Sequence, residues 1–365
     1  MRTPRLWMMA VLLIPLAAAR ADKPGDPAHQ QFDEGDLPLE GGGAIRGFTL
    51  SYVTHGKLNE QKSNAILMMS SLGGNHHRID FMIGPGKALD TGKYFVICTD
   101  AIANGRTSSP SNSKAQHGTA FPHFVIRDDI VAYRKLLGHL GIKHLVAVTG
   151  ASMGGMQALQ YAVSFPDEVS AVIALTPMAR TPAWSVAVTE ATRKAILADP
   201  AYQKGDYTAQ PERGWRAEID ILFGIATRAP DGMKAKFPHA LDVIPWMKGI
   251  EDTQLKAGFD ANDWMAQTWA YDRFDISTTP GKPFNGDLHA ALASIRAKTI
   301  IFHDRLDLLN PVEEAKEAAE GIAGAKFHLL PFDPPAGHFS ASAMSPLGVE
   351  FINKTASAFL AENHL

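Results

Sequence analysis

The chain has 365 residues, 45% of them apolar, which suits one large α/β domain with an insertion or two modest domains. Its formal net charge is −3, and loss of a leader at residues 1–21 would leave 32 basic residues against 38 acidic ones. This acidic balance argues against nucleic acid as a partner.

Residues 1–21 have the pattern of a secretory signal peptide. Two arginines precede an apolar run at 7–19, and Ala19-Arg20-Ala21 forms a small-x-small cleavage pattern before Asp22. A membrane anchor is the alternative, but the run is short for a span and ends in the cleavage pattern. We therefore expect a periplasmic or secreted protein without a stable membrane anchor.

The single cysteine, Cys98, lies in the apolar run Tyr94-Phe95-Val96-Ile97-Cys98. It cannot form an intrachain disulfide, and a lone thiol in a strand is usually a small core residue. We interpret Cys98 as part of the core.

Short apolar runs along the chain predict strands. Residues 48–53 alternate in strand fashion, whereas 65–69 and 94–98 are continuously apolar, as in strands buried on both faces. Further strands are predicted at 144–149, 169–175, 299–302 and 327–332, with helices at 127–141, 311–322 and 348–362. Strands alternating with helices indicate an α/β fold with a mostly parallel central sheet flanked by helices.

The pattern Gly150-Ala151-Ser152-Met153-Gly154 follows the strand at 144–149 and precedes apolar residues at helical spacing. A strand, a sharp turn and a helix around Gly-x-Ser-x-Gly are typical of a nucleophile elbow, which presents the serine hydroxyl at the edge of a sheet. The flanking glycines permit close packing there. We predict that Ser152 is a nucleophile; a glycine-rich turn that only packs closely is the alternative.

A glycine-bearing loop at 70–77 leaves the 65–69 strand at its carboxyl end. In folds built around such an elbow, this loop supplies one backbone amide of the oxyanion hole, here from Leu72, and Met153 supplies the other. His76 and His77 in the same loop suggest a metal site. No ligand-spaced partner accompanies them, so we expect a solvated pair and no metal.

From about 177 to 290 strand-like runs vanish, and helical segments such as 186–197 and 262–271 are separated by proline and glycine. We predict a helical lid inserted at 177–290 into a hydrolase core made of 22–176 and 291–365. Five of the six tryptophans fall in the lid: Trp184, Trp215, Trp246, Trp264 and Trp269. They either form the core of the lid or line a pocket over Ser152.

A serine nucleophile needs an imidazole to take its proton and a carboxylate to orient that imidazole. In this kind of fold the acid follows a late strand and the histidine lies in a loop after the next strand. We choose Asp307, with Asp304 in reserve, and we choose His338. His328 lies within a predicted strand and His364 at the chain end, so neither fits the role.

Several segments resemble the homoserine O-acetyltransferase branch of the α/β-hydrolase superfamily over residues 37–365. These are Asn64-Ala65-Ile66-Leu67, Gly84-Pro85-Gly86-Lys87-Ala88-Leu89-Asp90-Thr91, Tyr94-Phe95-Val96-Ile97-Cys98, Ile126-Arg127-Asp128, the elbow continued through Leu159, Arg193-Lys194-Ala195-Ile196, Ala198-Asp199-Pro200 and Phe259-Asp260-Ala261-Asn262. The resemblance implies a Ser152-Asp307-His338 triad and a role for Arg193 in binding the acceptor. It also makes a homodimer plausible.

Two features depart from that family. The transferases usually carry an aspartate directly after the catalytic histidine to bind the substrate ammonium group, and here that substrate-binding position is Phe339. A secretory signal is also foreign to enzymes that use cytoplasmic acetyl-CoA. Both departures favour an apolar or uncharged acyl substrate.

Three functions are therefore in competition. The first is a secreted serine acyl hydrolase of the esterase type, acting on a small-molecule acyl ester. The second is an acyl-CoA-dependent O-acyltransferase like the named family, since the two differ only in whether water or an alcohol reaches the acyl-enzyme. The third is a binding protein that kept the fold without the chemistry. No glycine-rich phosphate loop or ligand-spaced His/Cys set is present, so no cofactor is expected.

Overall fold

A computed structural model describes residue 22 and residues 24–331, 336–343 and 346–365. The predicted signal peptide at 1–21 lies outside these residues. No helix within the described part of the chain is both long enough and apolar enough to span a bilayer.

One central sheet organises the described residues. Its eight strands are β1 Gln30–Pro38, β2 Ala44–His55, β3 Ala65–Met69, β4 Phe95–Thr99, β5 Leu145–Ala151, β6 Val169–Leu175, β7 Lys298–His303 and β8 Lys326–Leu329, in the spatial order β1-β2-β4-β3-β5-β6-β7-β8. β1 pairs with β2 and β2 with β4 in antiparallel fashion. All other pairs are parallel. The mostly parallel sheet expected from the sequence is confirmed.

The central strands are buried on both faces, which explains their continuous apolar sequences. Every residue of β3 is buried, and Cys98 in β4 is fully buried as predicted. β1 was not predicted, because this edge strand buries little and its polar sequence lacks a clean alternation. Only Leu37 of β1 is fully inside, and register shifts at Gly35 break the pairing with β2.

The α-helices of the described residues are α1 Ile126–Leu140, α2 Met153–Ser164, α3 Ala183–Leu197, α4 Glu212–Ile219, α5 Pro230–Lys236, α6 Val243–Lys256, α7 Ala261–Asp272, α8 Leu288–Ala293, α9 Val312–Gly321 and α10 Pro346–Glu362. A π-helical turn at Asp220–Ala226 continues α4 directly. Helices α3 to α8 all lie between β6 and β7, where the sequence predicts the lid.

The helices between β6 and β7 share a hydrophobic cluster of their own. It contains Trp215, Trp264 and Phe223 together with Leu309 and Phe339, which belong to loops of the sheet region. Trp184 is largely exposed. Trp215 and Trp264 thus pack in this cluster with other side chains of the lid, and their lining of a pocket over Ser152 stays a prediction. Because the cluster includes Leu309 and Phe339, the lid packs directly on the loops that follow β7 and β8.

Candidate active site

Ser152 occupies the turn between the end of β5 and the start of α2. Its φ of 59° and ψ of −124° lie outside the regions favoured by non-glycine residues. A Cβ on Gly154 would lie 2.2 Å from the carbonyl oxygen of Met69, and one on Gly150 would lie 2.6 Å from the backbone of Gly154. The two glycines are needed because β3, β5 and α2 meet here without room for side chains.

Ser152, His338 and Asp307 form one hydrogen-bonded chain. The Ser152 hydroxyl donates to Nε2 of His338 at 2.8 Å, and Nδ1 of His338 donates to Oδ2 of Asp307 at 2.7 Å. The three residues are 3%, 4% and 4% exposed. The other carboxylate oxygen of Asp307 accepts from the backbone N–H groups of Leu309 and Asn310. The geometry is that of a nucleophile, a base and an orienting acid.

Asp304, the reserve acid, has a different set of partners. Its carboxylate accepts the backbone N–H groups of Leu306 at 2.9 Å and Ala336 at 3.0 Å. Burial raises the pKa of this carboxyl. Asp304 therefore joins the loop after β7 to the segment that carries His338, and the structure gives the contact with the imidazole to Asp307.

Two side chains hold the loop after β3 against the elbow. The Ser71 hydroxyl donates to the carbonyl oxygen of Ala151 at 2.6 Å, and the Gln157 amide donates to the carbonyl oxygen of Ser70 at 2.9 Å. These bonds hold Ser70 and Ser71, the two residues before Leu72, against the elbow and the first turns of α2. The sequence did not identify Ser71. For Gln157, the only signal in the sequence was an amide side chain in the first turns of α2, and the structure shows that it is buried.

The lid is also tied to this loop. The backbone N–H of Gly73 donates to Oε1 of Gln267 on α7 at 2.7 Å, and the Gln267 amide donates to the carbonyl oxygen of Ile102 at 2.9 Å. A lid side chain thus fixes the residue that follows Leu72.

Phe339, next to His338, is buried under the lid. Its ring stacks on Phe223 with 6.1 Å between centroids, and the Arg228 guanidinium lies 4.7 Å from its centroid. Arg228 also lies over Trp246 at 5.1 Å, and burial lowers its pKa to about 10. No carboxylate of the described residues pairs with it. The sequence did not point to Arg228, which lies two residues after the π-helical turn.

Arg193 on α3 is engaged by acidic residues of the lid. Its Nη2 lies 2.6 Å from Asp272 and 2.8 Å from Glu190. Its Nη1 is buried without a hydrogen-bond partner among the described residues. The described contacts therefore tie Arg193 to its lid neighbours, and its role in binding an acceptor stays a prediction.

The expectation of a solvated histidine pair at 76–77 is wrong. His76 is 1% exposed and His77 is 8% exposed. His76 Nδ1 lies 3.0 Å from Asp100, and His77 Nδ1 lies 2.8 Å from Asp80. Both rings can be buried because each has a carboxylate beside it. The partner of His77, Asp80, is close in sequence, whereas the partner of His76, Asp100, is distant.

The α/β hydrolase fold family matches residues 64–341. The chain is 33% identical to a homoserine O-acetyltransferase of Methanococcoides burtonii, a match that covers 79% of this chain and 64% of the relative. It is 32% identical to a homoserine O-succinyltransferase of a Janthinobacterium species, with 84% and 88% covered. The chain thus spans just under two thirds of the length of the Methanococcoides relative.

Solved structures of proteins with two different named activities are similar to this fold. An acetylester hydrolase from Corynebacterium glutamicum superposes with a TM-score of 0.83 at 28% identity, covering 92% of this chain and 96% of that one. A homoserine O-acetyltransferase from Bacillus anthracis superposes with a TM-score of 0.80 at 26% identity, covering 91% and 97%.

Proposed function

The chain belongs to the α/β-hydrolase family, in the branch that contains the homoserine O-acyltransferases, and from that membership we propose that it transfers acyl groups through an acyl-enzyme on Ser152. The observation that carries the proposal is the buried, hydrogen-bonded chain from Ser152 through His338 to Asp307. Such a chain lowers the cost of deprotonating a serine hydroxyl at neutral pH.

In the first half of the reaction, Ser152 Oγ attacks the acyl carbonyl carbon while Nε2 of His338 takes the hydroxyl proton. The carbonyl oxygen becomes an oxyanion, which the N–H groups of Leu72 and Met153 stabilise. The C–O or C–S bond to the leaving group then breaks, and His338 gives its proton to that group. Asp307 stays ionised throughout and stabilises the imidazolium.

In the second half, an acceptor O–H gives its proton to His338 and its oxygen attacks the acyl-serine ester. The bond between the acyl carbon and Ser152 Oγ breaks, and His338 returns the proton to Oγ, which frees Ser152 and releases the new ester or acid. An alcohol acceptor makes the enzyme an O-acyltransferase, and water makes it a hydrolase. The names of the sequence relatives support transfer better than the hydrolysis expected from the sequence. Acyl-CoA-dependent O-acylation of a small alcohol is therefore the first candidate.

Ester hydrolysis is the second candidate, and a specific contact favours it. Where an ammonium-binding carboxylate is expected, Phe339 lies beneath the Arg228 guanidinium. A buried cation at that place would repel the ammonium group of an amino-acid acceptor. The acetylester hydrolase among the similar structures is consistent with this reading.

A paired assay separates the two candidates. Purified protein is incubated with acetyl-CoA or succinyl-CoA, with and without homoserine, and separately with short p-nitrophenyl esters. Homoserine-dependent release of CoA supports transfer, whereas ester hydrolysis without any acceptor-dependent CoA release supports the hydrolase.

A fluorophosphonate probe tests whether Ser152 is the nucleophile, which both candidate functions require. We expect it to label Ser152 of the native enzyme and to leave the Ser152→Ala variant unlabelled. Folded protein that resists labelling and lacks both activities would refute acyl transfer and favour a binding protein.

A further inference from the structure

A second cluster of titratable side chains lies apart from the triad, where the N-terminal segment meets the loop after β3. Three imidazole nitrogens converge there on one carboxylate oxygen, Oδ1 of Asp22. Nε2 of His29 and Nε2 of His77 each lie 3.0 Å from it, and Nε2 of His76 lies 3.5 Å away.

The opposite ring nitrogens of the buried histidines are held by other carboxylates. Nδ1 of His76 contacts Asp100 at 3.0 Å, and Nδ1 of His77 contacts Asp80 at 2.8 Å. A carboxylate behind an imidazole fixes the tautomer in which Nε2 is free to bind a cation, and this pairing is the usual support of metal-binding histidines. Both rings are thus oriented with Nε2 toward the same point.

His76 provides an independent sign that something is bound. The residue is 1% exposed, and its Nε2 has no hydrogen-bond partner among the described residues. A buried polar atom without a partner costs free energy unless a ligand satisfies it. That atom faces the oxygen of Asp22 at 3.5 Å, a separation that suits two ligands of one metal ion.

The charges around the cluster favour a cation. Carboxylates of Asp22, Asp80 and Asp100 surround the rings, and Asp26 lies 3.7 Å from Nε2 of His77. The positive charge of the Arg106 guanidinium partly offsets these carboxylates. It lies 3.4 Å from Oδ2 of Asp22 and 3.0 Å from Nε2 of His29.

We propose that this cluster binds a divalent transition-metal ion of the zinc class through Asp22, His76 and His77, whose ligand atoms all lie within 4.8 Å of one another. Two imidazole nitrogens and one carboxylate oxygen, with water in the fourth position, are a donor set that Zn²⁺ accepts in tetrahedral geometry. Metal bonds of about 2.0–2.1 Å would draw the rings inward by roughly an ångström. Arg106 can keep its contacts with His29 and with Oδ2 of Asp22.

The site joins two parts of the chain that are distant in sequence. Asp22 lies before the start of β1, whereas His76 and His77 lie in the loop that begins with Ser70 and carries Leu72. A bound ion would therefore fasten the N-terminal segment to the loop that borders the elbow. Its role is structural, since the triad needs no metal.

Metal analysis of the untagged protein tests the proposal. The whole chain and a form that begins at Asp22 are stripped with a chelator, equilibrated with Zn²⁺ and dialysed, and zinc is counted by elemental mass spectrometry. We expect one zinc per chain and, with Co²⁺ instead, the strong visible absorption of a tetrahedral site. His76→Gln and His77→Gln should weaken binding at least about tenfold, whereas His239→Gln, at an exposed lid position, should not.

Asp22→Asn guards against misfolding of the variants, because the Asp22 side chain is exposed and circular dichroism can show that this variant retains the fold. It too should lose affinity. Native protein that keeps no zinc and gives no tetrahedral cobalt spectrum would overturn the proposal. So would variants that bind zinc as tightly as the native chain. Neither result affects the acyl-transfer proposal, because labelling of Ser152 is read separately.

Discussion

Asp307 Oδ2 and His338 Nδ1 lie 2.7 Å apart, with both residues buried. Replacing the carboxylate by an amide, Asp307→Asn, should keep the geometry but favour the wrong tautomer of His338. We expect kcat to fall by about 10⁴-fold, as in other triads that lose the acid. Steady-state kinetics on whichever substrate the paired assay identifies will measure this.

Asp304→Asn is the matched control for that variant. Its carboxylate binds backbone N–H groups of Leu306 and Ala336, and an amide oxygen can still accept one of these bonds. Thermal stability should fall while kcat changes far less than in Asp307→Asn. An equal loss of kcat in the two variants would argue against the assignment of Asp307.

The packing at the elbow predicts opposite effects for two glycine-to-alanine changes. In Gly154→Ala, the new methyl group would meet the carbonyl oxygen of Met69 at 2.2 Å, so β3 and α2 must move apart. We expect a loss of roughly 1–3 kcal/mol in the free energy of unfolding. Activity should fall as well, since the loop that carries Leu72 follows β3.

Gly138→Ala is the control for Gly154→Ala. Gly138 lies on the exposed face of α1, and a Cβ there meets nothing within 4 Å. Alanine should stabilise the helix by about 0.5–1 kcal/mol. Urea denaturation will show whether the free energy of unfolding falls in Gly154→Ala and rises in Gly138→Ala. A stable, active Gly154→Ala enzyme would contradict the close approach of β3 and α2.

Asp263 on α7 should make stability depend on pH. Burial raises its pKa to about 8, although Ser111 donates two hydrogen bonds to it. Between the ordinary value of 3.8 and about 8, the folded state keeps a proton that the unfolded state has lost. The free energy of unfolding should therefore fall as pH rises through this range.

Asp263→Asn removes that titration, keeps the bond from the Ser111 N–H, and replaces the bond from the Ser111 hydroxyl by one that the amide N–H donates to it. The variant should gain stability relative to the native enzyme as pH rises from 6 to 9, and melting curves across this range will show it. Asp231→Asn, at an exposed lid position, is the control and should follow the native curve. Parallel curves for Asp263→Asn and the native enzyme would contradict the raised pKa.

If residues 1–21 are the leader that the sequence predicts, cleavage should occur after Ala21. Expressed in a Gram-negative host, the protein should be recovered from the periplasm with Asp22 as its first residue, which N-terminal sequencing or intact mass will show. Ala21→Arg should block processing, because the cleavage pattern requires a small side chain. A cytoplasmic protein that still begins at Met1 would remove the reason for expecting export.

Much of the sheet could be predicted from residue patterns. The strand at 65–69 has the predicted bounds, and so does the strand at 169–175, because strands buried on both faces need unbroken apolar runs. The elbow could be predicted because Gly-x-Ser-x-Gly reflects a local steric requirement. Ser152, Asp307 and His338 lie within hydrogen-bonding distance, while their catalytic roles remain a proposal.

Features that depend on distant contacts could not be predicted. The burial of His76 follows from Asp100, whose carboxylate is brought near only by the pairing of β3 with β4. The placement of Arg228 depends on how the lid folds over Phe339. Neither leaves a periodic or local pattern in the sequence, since each arises from side chains that meet only in the folded chain.

The backbone of Ser152, at a φ of 59°, carries an evolutionary consequence. Glycine adopts such a conformation without strain, so we expect Ser152→Gly to lack acyl-transfer activity but to have a higher free energy of unfolding. If the acyl-transfer proposal holds, relatives that no longer need this chemistry should accumulate glycine at this position and gain stability. A serine kept at this strained position of the turn is thus expected only where its hydroxyl has a function, as the acyl-transfer proposal requires.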